Sequence, residues 1–267
     1  MKPQAGLLGG AIGFYLVWTA ATWFFEGRIE TLLRPEATGD RIAYAYIVNL
    51  LLGVAGGIAL LRYWKRRGAL DSARAGFGTG RGAAVALITG LILGLAAYWL
   101  QGAPSRNPVV IVNAFAQVFV VSAAEVIVCW ALVGAAAEAF MRRARRALPI
   151  GAAAVLASVL FGAYHYAHSA PFNTLQMVAL LSLVGLATSA FFFISRDIAG
   201  TIVFHNFLGT FGVVQALAAA NALSTLERVQ PALIVTAAVT AGVLAAGYIL
   251  LRMAQVEKSN IDIGEQQ

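Results

Sequence analysis

The chain has three histidines, and all three sit in apolar sequence. His165 and His168 fall in LFGAYHYAH, three residues apart, so on a helix they share a face. His205 falls in TIVFHNFLG, with the amide of Asn206 beside it. An imidazole deep in a bilayer is costly and as a rule faces a bundle interior or a wet cavity. Two acids can meet these rings. Glu125 lies in VVSAAEVIVCW with no basic residue nearby, and Glu138 lies in GAAAEAFMRRARR, four residues before Arg142. A carboxylate beside an imidazole can activate water as a general base. Three imidazoles and a carboxylate (His165, His168, His205 and Glu125) also suffice as ligands for zinc or iron. Glu138 has a plainer use as an i,i+4 partner of Arg142.

The elements that carry these residues are membrane spans. Of 267 residues, 60% are hydrophobic and 12% charged, and mean hydropathy is +0.78. About 20 consecutive apolar residues cross a bilayer as a helix. The expected fold is therefore all-α, a polytopic bundle with eight transmembrane helices near 5–25, 42–61, 82–100, 109–133, 151–168, 175–195, 199–221 and 231–251. The fourth is expected to run on as helix to 147, where Pro149 ends it. One membrane domain, 1–256, would be followed by a polar tail, 257–267, expected to be disordered. The linker 65–81 reads as a basic, glycine-rich loop with a short surface helix, and the loop 26–41 as a mixed-charge outer loop with an amphipathic tail.

The net charge of +7 follows from loop arginines and lysines that set topology, and it is no nucleic-acid signal. With the N-terminus inside, 14 of the 19 basic residues fall on the inner side, so both termini are expected in the cytoplasm. The first apolar run reads as a span and not as a cleaved signal. Trp18, Trp23, Trp64 and Trp99 fall near span ends, where aromatic belts form, and Trp130 falls deeper. The single cysteine, Cys129, excludes an internal disulfide.

Depth separates the two acids. Measured from the Arg142 and Pro149 boundary, His165 lies about 22 Å deep, Glu125 about 25 Å and Glu138 about 6 Å, at 1.5 Å per residue. Glu125 is thus the expected partner of His165. His205 sits only about 13 Å past Arg196, so a tilted or offset helix must bring it to His165 in one cavity, expected to open toward the cytoplasmic half.

At these residues the chain resembles the CPBP family of intramembrane endopeptidases, which includes the CAAX-prenyl proteases and bacteriocin-processing enzymes. The family carries E-E-x-x-x-R, F-x-x-x-H and H-x-x-x-N on successive core helices. Phe161 and His165 match the second motif. His205 matches the histidine of the third, with Gly209 at the asparagine position and Asn206 directly after the histidine. For the first motif, Ala137, Glu138 and Arg142 match in the second acid and the arginine. Alternatively Ala124 and Glu125 match the acid pair, with Cys129 in place of the arginine. The resemblance covers about 109–221. It implies hydrolysis of a membrane-associated or prenylated peptide by water that a glutamate and a histidine activate, with the other histidine and an amide stabilising the oxyanion. The residues it points to are Glu125, Glu138, His165, His205 and Asn206. No cofactor is needed on that reading, and the partners are a peptide substrate and the lipid bilayer. An inactive scaffold, a histidine-ligated zinc or iron protein and a small-solute transporter are the competing expectations.

Overall fold

Helix formation follows from the apolar runs, because every backbone polar group in lipid must be satisfied within its own segment. The computed structural model describes residues 2–32, 34, 37–78, 80–143 and 148–264. Among these, eight helices are long and apolar enough to cross a membrane. They are α1 (Ala5–Gly27), α2 (Gly39–Arg66), α3 (Arg81–Leu100), α4 (Pro108–Arg143), α5 (Pro149–Ala167), α6 (Leu175–Ser195), α7 (Ile198–Ala219) and α8 (Pro231–Arg252). No strand occurs among the described residues; a single antiparallel bridge joins Phe77 to Asp197. The chain is an all-α, multi-pass integral membrane bundle.

Local chemistry sets the ends. Asn107 caps α4 by accepting from the Val109 amide at 2.9 Å, with Pro108 in the first turn. Thr174 caps α6, and Asp197 caps α7 by accepting from the Gly200 amide at 2.8 Å. Each cap satisfies an amide that the helix leaves free. Pro149 opens α5, since a missing amide donor costs nothing at the first helical position. The expected run of α4 through 144–147 lies outside the described residues.

The core is built on α4. Residues 122–138 are buried without a break. A helix apolar on every side belongs inside a bundle. Small residues let the neighbours close in: Ala131 and Gly134 to Ala137 are all buried. α3 and α7 cross with their backbones in close approach. A Cβ on Gly90 would lie 2.3 Å from the Gly200 carbonyl oxygen, and one on Gly200 would lie 2.4 Å from that of Ala86.

Three helices contain wide turns. α1 is π-helical over Trp23–Gly27, α2 over Tyr44–Gly56 and α4 over Val126–Gly134. In α1 the Arg28 amide reaches back five residues to Trp23 O at 2.8 Å. Such turns recur at functional sites.

Several expectations need correction. The 65–81 linker is no free loop. Leu70, Ala75 and Phe77 are buried, the Ile198 amide donates to Gly76 O at 2.9 Å, and the Tyr248 hydroxyl donates to Gly78 O. The backbone of the last helix continues to Gly264, through most of the tail expected to be disordered. Trp18 does not sit in an interfacial belt: it is fully buried and stacks on Tyr164 at 4.0 Å. Trp64 is buried too, whereas Trp23 and Trp99 are about half exposed, as belt residues are.

The α3–α7 crossing yields a test. Gly90→Val forces the two backbones apart and should cost about 1–3 kcal/mol, as overpacking does. Gly242→Ala enters open space and should leave thermal stability unchanged or raise it. Detergent-phase melting of the two variants checks both, and equal melting temperatures would contradict the close crossing.

Candidate functional site

The site grows from one carboxylate. Glu125 ends the first α-helical segment of α4, directly before the wide stretch, and is 5% exposed. A charge in that setting needs partners. One oxygen, Oε2, lies 3.0 Å from His205 Nε2. An ionised carboxylate only accepts, so His205 donates to it from Nε2, and its Nδ1 lies 2.9 Å from the Thr188 hydroxyl. The other oxygen, Oε1, lies 3.8 Å from His165 Nε2. That is too long for a direct hydrogen bond, and a bridging water can serve both atoms.

His165 ends α5, where the helix tightens into a 3₁₀ turn over His165–Ala167. Its Nδ1 lies 2.8 Å from Phe161 O. A carbonyl only accepts, so Nδ1 holds the proton and Nε2 presents a lone pair toward Glu125. His168 follows one turn later, its ring stacked on that of His165 with centroids 5.0 Å apart and planes 22° apart. His168 Nδ1 lies 3.2 Å from Glu26 Oε2, and its Nε2 is buried with no hydrogen-bond partner. Glu26 in turn accepts from the Ser169 amide at 2.9 Å and from the Ser169 hydroxyl.

Aromatic rings wall this group. Phe161 packs on His165 and His205 at 4.7 and 5.0 Å between centroids, and Trp130 lies 5.3 Å from His205. Trp130 itself is anchored by donating to Ser189 Oγ at 2.7 Å. Behind His168, the hydroxyls of Tyr44 and Tyr164 meet at 3.0 Å, and Thr22 donates to Tyr164.

Glu26, Glu125, His165, His168 and His205 line a cavity of about 530 Å³ whose remaining wall is largely apolar, with Val120, Leu180, Val184, Leu208 and Phe211 contributing. The cavity extends to Thr31, Arg41, Gln101, Phe172 and Gln230. These belong to the α1–α2, α3–α4, α5–α6 and α7–α8 ends of the bundle. The expected opening toward the Arg142 end is therefore corrected: the cavity faces the opposite end. The mismatch in estimated depth also has a cause. Counting from Arg196 takes that residue as the membrane boundary, but Arg196 pairs with buried Glu138 and its neighbour Asp197 is 2% exposed beneath the Phe77 linker, so α7 starts inside the bundle.

Glu138 and Asn206 stand elsewhere. Glu138 is 1% exposed and takes two arginines: Arg142 Nε at 2.8 Å and Arg196 Nη1 at 2.6 Å. It lines a second pocket with Arg74, Arg142, Arg196 and Asp197, which shares no residue with the first. Its pairing is thus a buried clamp between α4 and the α6–α7 turn, more than a surface i,i+4 pair. Asn206 donates to Phe115 O at 3.0 Å, joining α7 to α4 outside the cavity. Gly209 lines the cavity in its place.

Among the described residues, Glu125, His165 and His168 each offer a ligand atom within 4.8 Å of the others. His205 is not in that group, and its two nitrogens face Thr188 and Glu125. Sequence reasoning missed Glu26, Ser169, Thr188, Tyr44 and Tyr164. Only Glu26 carried a signal, as an acid closing the first apolar run. Comparison with protein-family models, with curated proteins and with solved structures gave no match.

The Glu138 clamp predicts a double-mutant result. The Glu138→Gln and Arg196→Gln cycle should give a coupling of about 1–2 kcal/mol in unfolding free energy, above that of an exposed pair. A coupling near zero would mean that the buried geometry does not hold.

Proposed function

We propose that this protein is an intramembrane endopeptidase of the CPBP type, which hydrolyses a membrane-associated or prenylated peptide within the bundle. One observation carries the reading. The Glu125 carboxylate is fixed by His205 and faces the free Nε2 of His165 across 3.8 Å, at the polar floor of a largely apolar cavity. The match of Phe161, His165 and His205 to two family motifs adds support.

The chemistry follows from the proton positions. A water between Glu125 Oε1 and His165 Nε2 meets two acceptors, one of which takes its proton as the oxygen attacks the peptide carbonyl carbon. The tetrahedral intermediate then collapses with loss of the amine, which receives that proton. His205 acts by holding Glu125 and fixing its charge. Glu138 and Asn206 take no part, because neither lines the cavity: Glu138 pairs with Arg196 and the Asn206 amide N–H donates to Phe115 O. The apolar wall suits a lipid-modified or strongly hydrophobic segment.

The loop charges further support a cytoplasmic location for both termini, which turns the cavity mouth away from the cytoplasm. Reporter fusions at the C-terminus and between Arg143 and Pro149 should then both read as cytoplasmic; an external reading at the second site would reverse the orientation.

The activity is tested with the full chain in proteoliposomes and a mixed set of lipidated and unmodified membrane peptides, with cleavage read by mass spectrometry. Glu125→Gln and His165→Gln should each lower the rate by about 10²–10⁴, the usual worth of a general base, and Glu138→Gln should stay within about tenfold of the parent. Absence of cleavage by the unaltered chain would favour an inactive scaffold. Loss confined to Glu138→Gln would move the chemistry to the other pocket.

A further inference from the structure

Two imidazoles in this cavity are prepared as ligands in a way that water activation alone does not require. A metal-binding histidine normally donates its second ring N–H to a carbonyl or carboxylate, which fixes the tautomer and aims the free nitrogen. His165 does so to the Phe161 carbonyl, and His168 does so to Glu26. Glu26 is itself held by the Ser169 amide. His168 Nε2 is then left buried with no partner, and an orphaned buried acceptor calls for a reason. His168 and Glu26 have no role in the hydrolytic step above.

We infer that His165, His168 and Glu125 form a binding site for one divalent transition-metal ion, of the zinc class, with Glu26 and His205 as outer partners. Their ligand atoms already lie within 4.8 Å of one another, so side-chain shifts of an ångström or so bring them to zinc distances of about 2.0–2.2 Å. Two imidazoles and one carboxylate are a ligand set of zinc sites that keep a position open, here toward the cavity. Glu26 orients His168, and His205 orients Glu125. The assignment differs from a set that includes His205 as ligand, because both nitrogens of His205 are already engaged. It stands on the cavity side chains and does not rest on the peptidase reading. If both hold, the ion lowers the pKa of a water at the same point, with Glu125 as ligand in place of base.

The test uses the full chain in detergent, stripped with chelator and titrated with Co²⁺ by visible absorption and with Zn²⁺ by elemental analysis after gel filtration. The expected result is one equivalent of either ion and a cobalt spectrum of a site with nitrogen and oxygen ligands. His168→Ala should abolish it, and Glu26→Gln should weaken it about 10–100-fold, the usual effect of losing such a partner. Glu30→Gln, an exposed acid nearby, should bind like the parent. No bound metal in the unaltered chain overturns the inference without reference to any variant's folding, as does binding that His168→Ala leaves intact. Peptide cleavage by metal-free protein, with no metal taken up, would leave the peptidase reading standing and remove this one. One equivalent bound without cleavage would do the reverse.

Discussion

A carboxylate inside a membrane bundle must be neutralised or partnered, and Glu125 is placed where nothing on its own helix can do so. Everything around it answers that constraint. α7 brings His205 to one oxygen, α5 brings His165 toward the other, and α6 sets Thr188 against the second His205 nitrogen. Removing a single partner would leave a buried charge uncompensated, a defect of several kcal/mol. The helix arrangement and the chemistry of the site are therefore one problem. α4 is buried throughout its middle, where α5 and α7 bring His165 and His205 to this side chain and α6 backs His205.

A second carboxylate, Glu26, repeats the logic at the end of α1. It pairs with His168 and with Ser169, and so pins the turn that follows α5. The stacked His165 and His168 rings then join the two acids into one group. Glu26 lies within the wide turn of α1, Tyr44 opens that of α2, and Glu125 directly precedes that of α4. All three wide stretches thus adjoin this group, in keeping with the known link between such turns and function.

Much of the fold was legible, because the signal for a membrane helix is simply apolar length, and all eight spans were found within a few residues at most of their ends. The preference for Glu125 over Glu138 was also legible, since counting residues from a charged boundary measures depth. The same counting fails for His205, because Arg196 and Asp197 form a turn packed on Glu138 and the 65–81 linker, not the membrane surface. It failed for the linker too, where buried Leu70 and Phe77 look unremarkable among basic and glycine residues. Asn206 drew attention by adjacency to His205, but neighbours on a helix point about 100° apart. Gly209, four residues on, shares the His205 face and reaches the cavity. Glu26 reads as the start of a loop, because a single acid at the end of an apolar run gives no indication of which way it turns.

The central claim is that Glu125, and not Glu138, meets His165 and His205. Cysteine pairs in the full chain, in a Cys129→Ala background, test it without any substrate. Mercury-mediated cross-linking should join Glu125→Cys to His205→Cys and Glu125→Cys to His165→Cys. Glu138→Cys should not link to His165→Cys. Linkage of position 138 to position 165, with none from position 125 to either histidine position, would contradict the site.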